Sequence, residues 1–106
     1  MIRLCAECHA VRERDFSLLA ERADDLSTDG MVVRSELPVT VGDDVLVSLR
    51  LPPLGSWIDA EARVLRVEDE PNDRGRLIEL GFERIDRVSR LMLCEVLLDR
   101  LLDALE

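Results

Sequence analysis

Asp25-Leu26-Ser27-Thr28-Asp29-Gly30 is the stretch that decides how the chain is read. Apolar, strand-like runs flank it: Leu18 to Ala23 leads in, and Met31 to Val33 leads out. Between them stand short polar side chains ending in glycine. Asp25 and Ser27 can hydrogen-bond nearby backbone amides, while Gly30 can take a positive φ or let another group approach the backbone closely. Local chemistry therefore predicts a tight connection between two strands.

Upstream, Ile2, Leu4, Ala6, Cys8 and Ala10 fall on one parity and Arg3, Glu7 and His9 on the other, the period-two pattern of a half-buried strand ending at Val11. Arg12-Glu13-Arg14-Asp15 reads as a charged turn, and Phe16 to Asp24 as the returning strand of an antiparallel hairpin. Downstream, Met31-Val32-Val33 is a short strand that Glu36-Leu37-Pro38 breaks. Val41-Gly42-Asp43-Asp44 turns into Val45 to Leu51, with Val45, Val47, Leu49 and Leu51 on one face.

After a loop at Pro52-Pro53-Leu54-Gly55, Trp57 to Glu68 alternates through Ile58, Ala60, Ala62, Val64 and Val67, with Arg63 and Arg66 toward solvent. Glu68 to Gly75 is a polar, acidic hairpin loop, and Arg76 to Phe82 is the last strand, where Gly81 marks a bulge or a close backbone approach. Six or seven short antiparallel strands in about 85 residues predict a small closed or nearly closed barrel, an arrangement that removes exposed edges.

From Asp86 the period changes to that of a helix, spanning about residues 86–105, with Asp86 or Ser89 as its cap. Leu91, Cys94, Leu98, Leu101, Leu102 and Leu105 form one stripe, the side expected to close the barrel. Leu93, Val96, Leu97 and Ala104 fall outside that stripe and are the candidate surface for a partner or for self-association. The alternative is a core that wraps further around the helix.

The chain has 106 residues, 47% apolar and 35% charged, which suits a single domain over 1–106 with its barrel at about 1–84. No apolar run approaches the roughly 20 residues needed to span a bilayer, and the N-terminus lacks the pattern of a secretion signal, so a cytoplasmic location is expected. A formal charge of −9 opposes long-range attraction to DNA or RNA. All 14 basic residues are arginine, the side chain better suited to planar, bidentate contacts with guanine edges or phosphates.

Cys5-Ala6-Glu7-Cys8-His9 has the C-x-x-C-H spacing of covalent haem attachment, and with Cys94 it offers a zinc alternative. In a strand, however, Cys5 and Cys8 point to opposite sides of the sheet, so no metal site is expected. Enzymatic activity is not expected either. His9 is the sole histidine and has no evident nucleophilic partner, no carboxylate pair stands out among the 23, and no phosphate-cradling glycine loop precedes a helix.

The order of these elements resembles the PilZ domain family. It consists of a hairpin, D-x-S-x-x-G at Asp25 to Gly30, a short strand, Val-Gly-Asp-Asp-Val at Val41 to Val45, Ala-Arg-Val-Leu-Arg-Val at Ala62 to Val67, Leu-Gly-Phe-Glu-Arg-Ile at Leu80 to Ile85, and a leucine-rich helix. The resemblance implies a bacterial receptor for cyclic di-GMP in which Asp25 and Ser27 hydrogen-bond a guanine and Gly30 keeps the turn open to the ligand. A carboxylate can accept a pair of bonds from guanine N1–H and N2–H.

The family's R-x-x-x-R segment is missing. Arg3, Arg12, Arg14 and Arg22 include no pair with that spacing, and if Arg3 stands for the second arginine, the first would fall before Met1. Each lost charge-assisted contact forfeits about 1.5–3 kcal/mol, so binding is expected to be weak or lost. The alternative is a ligand-independent adaptor in bacterial motility or surface attachment.

Overall fold

The computed structural model describes residues 2–51, 55–69 and 75–105. Strands β1 (Ala6–Arg12), β2 (Leu18–Leu26), β3 (Gly30–Ser35), β4 (Asp44–Leu51), β5 (Ser56–Asp69) and β6 (Arg76–Ile85) precede one helix, α1 (Arg87–Ala104). Every strand pairing is antiparallel, and the ring closes in the order β1-β2-β3-β6-β5-β4. The expected barrel with a C-terminal helix is therefore present, with six strands and full closure.

Period-two alternation becomes inside and outside of the barrel. Leu4, Ala6, Cys8 and Ala10 are buried, as are Val45, Val47, Leu49 and Leu51 across the β1–β4 seam. Each fully buried aliphatic side chain contributes about 1.5–3 kcal/mol, so this alternation fixes the register. Cys8 lies inside and Cys5 outside, as the strand reading required. Among the described residues, no group of three or more His, Cys, Asp or Glu side chains is placed to hold a metal ion. No described helix is long and apolar enough to cross a membrane.

Strand ends differ from the expectation for identifiable reasons. Phe16 has φ 56° and is 73% exposed, with its amide donating to the Arg12 carbonyl at 2.8 Å. It closes the hairpin turn, so β2 starts two residues later than its alternation suggested. Arg12, expected in that charged turn, is instead buried. It forks onto Asp15 at 2.8 and 3.1 Å and donates to the Pro38 carbonyl at 2.7 Å. This guanidinium holds the Asp15 carboxyl well below the usual range.

At its other end β2 runs through Asp25 and Leu26, which pair with Val32 and Met31. Ile2 bridges back to Leu26, setting the N-terminal segment beside the end of β2. Strand β5 runs on through Glu68 and Asp69, and β6 reaches Ile85. The loop assignments around 52–54 and 70–74 lie outside the described residues.

The helix corrects the sequence reading most sharply. Asp86 is its cap, accepting from the Ser89 amide at 2.8 Å and from the Ser89 hydroxyl at 2.7 Å, which lowers the Asp86 carboxyl from its ordinary range. The face on the barrel is Ser89, Leu93 and Leu97, with Met92 and Val96 partly buried beside them. Leu93 and Leu97 are therefore core residues and not a partner surface, and Val96 and Ala104 alone do not make one. The stripe assigned to the barrel is instead the outer one, since Leu91, Leu98, Leu101, Leu102 and Leu105 are all exposed.

Burial raises the Cys8 thiol from 9.0 to about 11, with Asp24, Glu21 and Glu7 adding to the rise. An unfolded thiol begins to ionise near pH 9.0, whereas the folded one resists until about pH 11. Stability from this group is thus complete well below pH 9 and is lost as pH rises through 9 toward 11, by about 3 kcal/mol. Urea titrations in reductant across that window should show this loss, and Cys8→Ala should remove that part of the slope. An unchanged slope in Cys8→Ala would contradict the assignment.

Candidate functional site

The β2–β3 turn is closed by its own side chain. Ser27 N–H donates to the Gly30 carbonyl at 2.9 Å, and the Ser27 hydroxyl oxygen accepts from the amides of Asp29 at 3.2 Å and Gly30 at 3.1 Å. The hydroxyl also donates to the Gly30 carbonyl at 3.3 Å. A serine hydroxyl has one donor and two lone pairs, so its capacity is filled inside the turn. Asp25, expected to share this job, sits one residue inside β2 and projects outward.

The barrel also grips the turn from outside. Phe82 N–H donates to the Asp29 carbonyl at 2.7 Å, and Arg90 of α1 donates to the Thr28 carbonyl at 3.2 Å. Gly30 pairs with Gly81 of β6. A Cβ on Gly30 would collide with the Leu80 carbonyl oxygen, whereas one on Gly81 would meet the movable tip of Leu65 at 2.7 Å. Of the two roles expected for Gly30, close approach is the one realised, and the approaching group is the barrel's own backbone.

Asp25 belongs to a shallow pocket of about 240 Å³ on the outer face of β2, β3, β6 and β5. Cross-strand register builds it: Asp25 pairs with Val32, Val32 with Glu79, and Glu79 with Arg66. One row along, Arg34 pairs with Leu77, and Leu77 with Glu68. The bridge from Ile2 to Leu26 brings Arg3 to the same rim.

Of the four residues predicted from sequence, Asp25 and Arg3 therefore share a concavity. Ser27 and Gly30 form the adjoining turn and do not line it. Sequence reasoning missed Arg34 and Arg66. Arg34 alternates outward next to buried Val33, whereas Arg66 shares the parity of buried Ala62 and Val64 and faces out through the bulge between Val64 and Arg66; only the strand order β3-β6-β5 reveals that the two face one spot.

The pocket is electrostatically mixed. Arg34 pairs with Asp24 at 3.2 Å and Arg66 with Glu68, whereas Arg3 forms no ion pair with a described residue. Three arginines face the four carboxylates Asp24, Asp25, Glu68 and Glu79. Pairs this exposed are worth about 0–1 kcal/mol each, so an anion can compete for the guanidinium groups, though not strongly.

A wider groove of about 910 Å³ lies elsewhere, across β1, β4, β5, the end of β6 and the start of α1. His9 of β1 stacks on Trp57 of β5 at 5.4 Å, with the rings 3° from parallel. Ser48 donates to Asp59 at 2.7 Å, and Phe16 and Ile85 complete the apolar lining. None of the residues singled out from the D-x-S-x-x-G motif reaches it.

The fold is thus a closed six-stranded barrel with a C-terminal helix, a serine-closed turn and an arginine-bearing pocket beside it. The PilZ domain profile matches residues 5–102, and the chain belongs to that family. Among solved structures it is similar to the Bacillus subtilis inhibitor of motility, MotI/DgrA, at 18% identity and a TM-score of 0.80, covering 95% of this chain and 48% of that one. The chain thus spans about half the length of that relative, and at this identity the likeness is one of fold. Among curated proteins no sequence relative matches.

Gly30→Ala should destabilise the protein by about 1–3 kcal/mol in urea titrations, because the Leu80 carbonyl belongs to a paired backbone that cannot step aside. Gly81→Ala should lose clearly less, since Leu65 can swing outward. Equal losses at the two positions would contradict the backbone-contact account.

Proposed function

We propose that this chain is a signalling module that receives cyclic di-GMP weakly at the pocket beside the β2–β3 turn and passes the event to a protein effector. The observation that carries the reading is the convergence of Asp25 with Arg3, Arg34 and Arg66 in one concavity of a PilZ barrel. The Asp25 carboxylate would accept guanine N1–H and N2–H, while the guanidinium groups would meet phosphodiester oxygens or the guanine O6 and N7 edge. Ser27 would set the turn and not read the base, because its hydroxyl is already engaged.

Two features support weak affinity. The volume of about 240 Å³ lies below the roughly 300–1,000 Å³ of sites that bury a small molecule. Two of the three arginines must also loosen existing ion pairs to meet a phosphate. Control of motility or surface attachment in the cytoplasm is the proposed setting, in keeping with the relative named an inhibitor of motility. No catalytic role is proposed.

A second reading, an adaptor that docks a protein without the nucleotide, is supported by the groove beside the His9–Trp57 stack. Chemical-shift titration with cyclic di-GMP separates the two. The receptor reading predicts shifts at Asp25, Arg34 and Arg66 that approach saturation only at high micromolar ligand or above, with Asp25→Ala and Arg34→Ala each weakening binding about tenfold or more. No shift at these residues with millimolar ligand would remove the receptor reading and leave the adaptor.

A further inference from the structure

From residue 98 to residue 105 every position of the helix and its cap is exposed, so this segment leaves the barrel surface and stands in solvent. It is not built for water. Leu98 is 54% exposed, Leu101 49%, Leu102 51% and Leu105 77%, and Leu91 continues the stripe toward the barrel. Leu91, Cys94, Leu98, Leu101 and Leu105 follow one another at steps of three, four, three and four, the a/d pattern of a two-stranded coiled coil. Leu91, Leu98, Leu101 and Leu105 of this seam are exposed and Cys94 is half-buried, so the barrel, which packs on Leu93 and Leu97, leaves most of the seam uncovered.

We infer that a second copy of this chain covers the seam, forming a parallel, in-register two-helix coiled coil with the barrels on its outer sides. A stripe with heptad spacing is self-complementary, as a two-fold interface requires. Parallel register sets all five a/d layers like against like, including Cys94 against Cys94 of the partner subunit. Antiparallel a–d′ pairing leaves a terminal layer without its match. The exposed apolar side chains, with Val88 beside them, offer roughly 600 Å² per copy, or about 1,200 Å² between two, the lower edge of a specific interface. Pairing would also explain how the projecting end stays helical, since a segment of this length gains little helical stability by itself.

Sedimentation equilibrium of the full chain tests this. The expected result is twice the 12.0 kDa chain mass at micromolar concentration, falling to the single-chain mass in the variant Leu98→Glu with Leu101→Glu. Both positions are exposed, so the circular dichroism spectrum and the melting of the barrel should survive the double change. Orientation is read in Cys5→Ser treated with diamide, which takes up the two electrons and two protons that two Cys94 thiols release on forming a disulfide. A covalent dimer on a non-reducing gel is expected. A monomeric parent chain throughout the micromolar range, or a dimer that the double substitution leaves intact, would overturn the inference. A dimer without the Cys94 crosslink would overturn the parallel arrangement.

Discussion

The backbone of Gly30 lies so close to that of Leu80 and Gly81 that β3 has no room for a side chain there. This contact joins β3 to β6, which with β1–β4 is one of the two neighbouring pairs around the ring made between strands that are not consecutive in sequence. Once it forms, the Phe82 amide reaches the Asp29 carbonyl and the β2–β3 turn is locked to the sheet from outside. The Ser27 hydroxyl locks it from within. Turn, strand order and the outer pocket all depend on that approach.

A consequence is that the most recognisable motif in the sequence is divided in the structure. Ser27 and Gly30 hold the backbone, and Asp25, still paired in β2, points to a surface that the turn only borders. The arginines there come from β3, β5 and the N-terminal segment. Two of them, Arg34 and Arg66, are already engaged by Asp24 and Glu68, so an anion would have to loosen those pairs to reach them.

How much of this was legible in the sequence follows from which signals are local. Alternation at Val45 to Leu51 and at Ile58 to Val64 revealed inward faces, because a strand with one buried side has only one consistent parity. Phe16 misled because a positive φ at a large aromatic residue leaves no trace in an apolar pattern. The helix misled for a different reason. It carries apolar residues on two sides, Leu93 and Leu97 on the barrel and Leu91, Leu98 and Leu105 outside, so periodicity located two stripes but could not rank them. Arg34 and Arg66 stayed hidden because their meeting depends on β6 lying between β3 and β5.

The central claim is that the barrel itself holds the turn closed before any ligand arrives. Amide hydrogen exchange followed by NMR tests it most directly, because exchange reports the free energy of opening at single residues. In the ligand-free protein, the amides of Phe82 and Gly30 should exchange as slowly as those of the buried strands, and cyclic di-GMP should leave them unchanged. Free-loop exchange at Phe82, slowed only on adding cyclic di-GMP, would contradict the account and make the turn a product of binding.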